Sequence, residues 1–262
     1  MRSLRARAIV APAAFGIAVL VLWQLAVVVF NIQPFVLPSP VNIGVQFAQD
    51  LPIVWDGMII TGTNALIGFV LGALAALVAA ALAASLRFFD QLTQPIVTVA
   101  GVIPIIALAP VLYTMFGAGA ETSRQVVAAI AVFVPVYLNT LRGLRQVKPV
   151  HRDLMRAYAA SRWQATRTVT LPGALPFVFT GLRIASSLAV ISALISEDFG
   201  GPIDGLAPSI SSAAAYSNYT LAYAFVLGAI LLGLTFYIVT LALEKLATRH
   251  SPLPNERPVV RT

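Results

Sequence analysis

Six stretches of this sequence, at about 9–30, 59–85, 92–116, 125–141, 177–197 and 222–244, are apolar almost throughout. Each comes close to the roughly 20 residues that a helix needs to cross a bilayer. Their only charges are Arg183, Glu197 and Glu244. Backbone in hydrocarbon has no water to bond, so it must satisfy its own polar groups within a helix or a sealed barrel. Runs of this length point to helices. Charged residues make up 10% of the 262 residues, against about 25% in a soluble domain. The expected fold class is an all-α polytopic membrane protein with six transmembrane helices. Gly68 and Gly72 suit the second span to close helix packing, whereas Pro104, Pro110 and Pro135 break the third and fourth.

Basic residues set the orientation. Arg2, Arg5 and Arg7 precede the first span, and Arg87 lies between spans two and three. Seven more, from Arg142 to Arg167, lie between four and five, and Lys245, Arg249, Arg257 and Arg261 follow the last. The loops on the other side hold only Arg124, beside Asp50, Asp56, Glu121, Asp198 and Asp204. Both termini are therefore expected in the cytoplasm, and the net charge of +7 reads as topological, with no nucleic-acid partner. The apolar run from Ala8 to Phe30 exceeds the ~7–15 residues of a signal-peptide core and reads as a retained span. Residues 1–250 form one membrane domain; the tail 251–262, with Pro252, Pro254 and Pro258, is expected to be disordered.

Several chemistries are absent. The sequence has no cysteine, no phosphate-cradling Gly-x-x-x-x-Gly-Lys-Ser/Thr loop and no His-Glu-x-x-His pair for a metal. His151 and His250 both fall on the cytoplasmic side, and the spans lack the deep carboxylate that an ion-coupled carrier would place there. No catalytic residue, metal ligand or bound cofactor is expected, and the chain is not expected to be an enzyme.

The loop between the fourth and fifth spans is nevertheless structured. Pro149 suits the first turn of a helix, so Val150 to Ala159 reads as a short helix containing Asp153 and Arg156. Ser161-Arg162-Trp163-Gln164 fits a capping box that opens a second short helix. Leu171 precedes Pro172, which disfavours helix there, so that second helix is expected to stop near Thr170. The bend falls at Ala159-Ala160. Such a loop is either a partner-docking element or an amphipathic connector lying on headgroups.

This loop resembles the cytoplasmic signature of the permeases of binding-protein-dependent ABC importers: Glu-Ala-Ala, three residues, Gly, nine residues, Ile-x-Leu-Pro. Val169-Thr170-Leu171-Pro172 matches its end, Asp153-Leu154-Met155 stands at the Glu-Ala-Ala positions, and Ala159 replaces the glycine. Leu37-Pro38-Ser39-Pro40, Ile103-Pro104 through Ala109-Pro110, Val134-Pro135 through Thr140, and Ile195-Ser196-Glu197-Asp198-Phe199-Gly200 resemble other parts of the family. The likeness is to its type I branch for sulfonates, taurine, nitrate, and pyrimidine or flavin precursors. It implies a coupling-helix loop at about 149–172, in which Asp153, Arg156, Ala159, Ala160, Ser161, Arg162, Trp163, Leu171 and Pro172 dock an ATPase. It also implies two cytoplasmic ATPase subunits carrying ATP and Mg, a second copy of the permease, an extracytoplasmic binding protein, and a bacterial inner-membrane location amid lipid. Substrate would cross by ATP-driven alternating access. An ion-coupled secondary carrier and a membrane scaffold that recruits a cytoplasmic partner are the alternatives.

The candidate pathway residues leave two readings each. Pro104, Pro110 and Pro135 free carbonyls that either shape a water-filled route or fit helix packing. Tyr113, Tyr137 and Asn139 either line that route or bond between helices. Glu197 and Asp198 form part of a gate or docking surface, or else a solvated helix end. Arg183 is expected to snorkel to the cytoplasmic headgroups.

Overall fold

The computed structural model describes residues 2–117, 120–147, 149–200 and 202–248; Lys148 and the tail 251–262 lie outside the described residues. The fold is all-α. Among the described residues, five helices are long and apolar enough to cross a bilayer: α1 (Arg2–Val29), α3 (Leu51–Ser85), α6 (Thr122–Arg145), α9 (Leu171–Asp198) and α11 (Tyr219–Ala247). Shorter helices join them: α2 (Pro40–Gln49), α4 (Arg87–Val102), α5 (Ala109–Phe116), α7 (Pro149–Ala157), α8 (Arg162–Ala165) and α10 (Leu206–Ala215).

Local chemistry fixes several boundaries. Pro40 stands in the first turn of α2, and the Ser39 hydroxyl accepts from the Asn42 N–H at 3.2 Å, an N-cap arrangement. The Asn218 side chain caps α11 by accepting from the Leu221 N–H. Small residues then let the long helices close up. A Cβ at Gly68 would lie 2.5 Å from that of Ala128, and one at Gly72 would run into the Ala129 carbonyl, so α3 and α6 meet backbone to backbone as the sequence suggested. The core lies among α3, α6 and α9 and includes Ala76, Val132, Val136, Ala185 and Ala189.

Three proline expectations resolve differently. The span expected at 92–116 is divided: α4 ends at Val102, Ile103 is extended before Pro104, and a 3₁₀ turn at Ile105–Leu108 leads into α5. Pro110 starts α5 and breaks nothing. Pro135 leaves α6 continuous from Thr122 to Arg145, in contrast to the expected break. Across from it, Gly181 leaves space, since a Cβ there would stand 3.0 Å from the Pro135 carbonyl oxygen.

The α8 helix also runs on, contrary to the expected stop near Thr170. It passes through a π-helical turn at Thr166–Thr170, where the Leu171 N–H donates to the Thr166 carbonyl, and continues directly into α9. Leu171 keeps helical dihedrals although a proline follows. The wide turn shifts the preceding carbonyls away from the pyrrolidine ring. Arg162 to Asp198 is thus one helical rod of 37 residues.

The α4 helix presents three faces at 3.6 residues per turn. Phe89, Thr93, Val97 and Ala100 turn toward the protein. Phe88, Leu92, Ile96 and Val99 form an exposed apolar face. Between them, Gln91, Gln94, Thr98 and Gly101 form an exposed polar or small face.

Candidate functional site

Two clusters lie at opposite ends of the bundle. At the basic end, α7 has no buried residue, and Val150, Leu154 and Tyr158, at four-residue spacing, are 73%, 48% and 75% exposed. Trp163 on α8 is 68% exposed. An apolar stripe, with Arg152 and Arg156 on the opposite face of the helix, is therefore held out from the body. The Asp153–Arg156 ion pair, at 3.5 Å with both partners open to solvent, holds little in place.

The bend between α7 and α8 is well defined. Ala159 takes a positive φ of 48°, so the chain bends there although alanine replaces glycine. The Ala159 N–H donates to the Arg156 carbonyl and the Ala160 N–H to the Met155 carbonyl, the paired bonds of a Schellman C-cap. Ser161 and Gln164 then form the expected capping box: the Ser161 hydroxyl accepts from the Gln164 N–H at 3.3 Å, and the Gln164 side chain accepts from the Ser161 N–H at 2.7 Å. The α8 helix runs through the π-helical turn directly into α9, so this corner and the span belong to one helical rod.

At the other end, the sequence candidates Tyr113 and Glu197 meet partners that the sequence had not singled out. Glu197 is 2% exposed and so is not a solvated helix end. Its Oε2 accepts from the Thr61 hydroxyl at 3.0 Å and from the Ala207 N–H at 3.3 Å, while Thr61 Oγ1 accepts from the Leu206 N–H. A carboxylate thus meets the first turn of α10, where free N–H groups favour negative charge. Arg124, fully buried, pairs with Asp204 at 2.7 Å, donates to the Pro202 carbonyl, and its Nε donates to the Tyr113 hydroxyl at 3.4 Å. Tyr113 in turn donates to the Ser196 carbonyl. Asp198 is exposed and accepts from the Ser211 hydroxyl at 2.6 Å. The loop before α10 is consequently clamped from α3, α5, α6 and α9. The clue to Arg124 was its isolation as the one basic residue among acidic loops.

The remaining candidates stand apart from this cluster. Tyr137 is buried, stacks on Phe133 with ring centroids 5.7 Å apart, and shares a 2.8 Å hydrogen bond with Thr93 of α4. Asn139 donates to the Pro135 carbonyl one turn back. Pro104 and Pro110 are exposed. Arg183 lies 3.3 Å from Glu244 of α11, so its guanidinium faces a carboxylate near the C-terminal end of the neighbouring helix.

The family described as the inner membrane component of binding-protein-dependent transport systems matches residues 68–250. The chain belongs to that family. It is 33% identical over 232 residues to the riboflavin transport system permease protein RibX of Chloroflexus aurantiacus, covering 88% of this chain and 86% of the relative. It is 30% identical over 194 residues to the formylaminopyrimidine transport permease protein ThiX of Halalkalibacterium halodurans, covering 72% and 75%. The crystal structure of an amino acid ABC transporter with histidines has the same fold, with a TM-score of 0.60 at 18% identity over 78% of this chain and 95% of that one. The type I importer permease resemblance and the multi-pass membrane character of the chain stand on these matches and on its apolar helices.

Proposed function

We propose that α7 and α8 are where two cytoplasmic ATPase subunits drive this chain, the permease subunit of an ATP-binding cassette importer for a small solute. One observation carries the reading: an exposed apolar stripe on α7 is joined through a fixed bend to a helix continuous with α9. An amphipathic helix of this kind fits a partner's groove. ATP-driven closure of the ATPase pair moves the corner, and the helical rod carries that movement into the membrane as alternating access.

In this reading the basic end faces the cytoplasm of a bacterial inner membrane, and both termini lie there. ATP and Mg are bound by the ATPases, a second copy of the chain completes the pathway, and an extracytoplasmic binding protein delivers the solute to the α10 end. The names of the relatives from Chloroflexus and Halalkalibacterium favour a flavin or pyrimidine-like heterocycle as cargo. Asp153, Arg156, Ser161, Arg162 and Trp163 supply the docking surface, Ala159 and Ala160 its bend, and Leu171-Pro172 its junction with α9.

Co-purification with the ATPase tests the proposal. Asp153→Arg and Trp163→Ala should release the ATPase while the permease remains folded and dimeric. An ATPase retained by both variants, or none bound by the wild type, would overturn it.

A further inference from the structure

The α4 face carrying Gln91, Gln94 and Thr98 points away from the body of the protomer. Among the described residues, neither glutamine side chain has a hydrogen-bond partner, while the Thr98 hydroxyl donates back to the Gln94 carbonyl at 2.8 Å. An amide facing acyl chains without a partner is strongly disfavoured. The neighbouring face, with Leu92, Ile96 and Val99, has the composition that lipid requires, so the two exposed faces of one helix suit two different media. The polar face borders a cleft of ≈ 450 Å³ between α4 and α6, lined by Gln94, Thr98, Gly101, Tyr137 and Leu141. At its basic end stand Asp90 and Arg145, paired at 2.7 Å; at its far end α4 breaks at Ile103-Pro104.

We propose that this cleft is the water-filled inner half of the solute's route, and that Gln94 and Thr98 are the side chains it offers to a polar solute. The proposal rests on the permease reading above. Tyr137, one of the sequence candidates, stands in the same cleft; Gln94 and Thr98 are additions to the wall it belongs to. In the cleft, Gln94 presents both a donor and an acceptor, which suits neutral solutes with amide or imide groups.

The chain has no cysteine, so single thiols can report water directly. Gln94→Cys and Thr98→Cys are each placed in the full transporter in inside-out vesicles and treated with a charged methanethiosulfonate reagent. Val78→Cys, on the exposed apolar surface of α3, serves as the lipid-facing control. The reactive species is the thiolate, which needs water to form, so a water-filled cleft should give modification more than about tenfold faster than the control. Both thiols reacting as slowly as the control would overturn the proposal. So would a spontaneous disulfide between two copies of the Gln94→Cys variant with no labelling, which would place a second copy on this face. Either variant carries the test if the other fails to reach the membrane. Retention of the ATPase by the Asp153 and Trp163 variants would sink the coupling reading and leave these rates unchanged, so the two failures are distinct.

Discussion

Thr61 on α3 donates its hydroxyl to the Glu197 carboxylate on α9 at 3.0 Å, and the same hydroxyl oxygen receives the Leu206 N–H of α10. One small side chain thereby connects two spans and the first turn of a short helix. Thr61→Val keeps the shape and removes both bonds. Hydrogen bonds to charged groups contribute about 1.5–3 kcal/mol, and a loss of that size should appear as a lower thermal midpoint for the purified protein. Gly205→Ala should cost more. Gly205 has φ 89°, and an added Cβ would sit 2.7 Å from Glu197 Oε2, so backbone and carboxylate are strained together.

Arg124 and Asp204 should respond unequally to substitution. The arginine side chain is 0% exposed and the aspartate 38%. Removing one partner of a buried pair costs about 3–5 kcal/mol, but solvent at Asp204 screens the pair, so Asp204→Asn should fall well below that range. Arg124→Lys should be the more damaging change. A lysine ammonium cannot copy the planar fork that reaches Asp204, the Pro202 carbonyl and Tyr113 together. Denaturant midpoints of the two variants, measured in the same detergent, give the ranking.

The positive φ of Ala159 leads to a stabilising substitution. A left-handed alanine is disfavoured by about 1–2 kcal/mol, while glycine gives back about 0.4–1 kcal/mol through the freedom of the unfolded chain. Ala159→Gly should therefore stabilise the corner by about 0.5 kcal/mol. Ala159→Val should weaken it, because a β-branched side chain fits that conformation poorly. Limited proteolysis between α7 and α8 reads both directions: slower cleavage for the glycine variant and faster for the valine.

Local features were the legible ones. The apolar runs, the Ser161–Gln164 capping box and the close approach at Gly68 and Gly72 each depend on a few neighbouring residues, so sequence spacing reveals them. The clamp did not show, because Thr61 and Glu197 are 136 positions apart and Arg124 and Asp204 are 80 apart; nothing in the chain between them marks the pairing. Prolines misled in a specific way. Pro135 and Pro172 were expected to break helices, but α6 runs on through the first and the wide turn before the second absorbs it. Pro104 does divide the third span as its sequence suggests, whereas the three faces of α4, although present in the spacing of Gln91, Gln94 and Thr98, only become visible once that span is seen to be two helices.

Pro172 is the position where fold and proposed mechanism meet most directly. The π-helical turn at Thr166–Thr170 holds one more residue than regular helix would, which fixes the rotation of α8 about the α9 axis. Pro172→Ala removes the ring and restores an N–H, so the turn can relax to regular α-helix. Each residue turns the helix by about 100°, and a relaxation by one residue would swing Trp163 to a different side of the rod. The stripe on α7 itself stays intact. The expected outcome is an ATPase that still co-purifies but no longer drives uptake, with transport reduced more than about tenfold while ATP hydrolysis persists. Parallel measurement of ATP hydrolysis and solute uptake in proteoliposomes checks it. Loss of the two activities together would show that Pro172 serves docking, and unchanged transport would show that the wide turn does not depend on the proline.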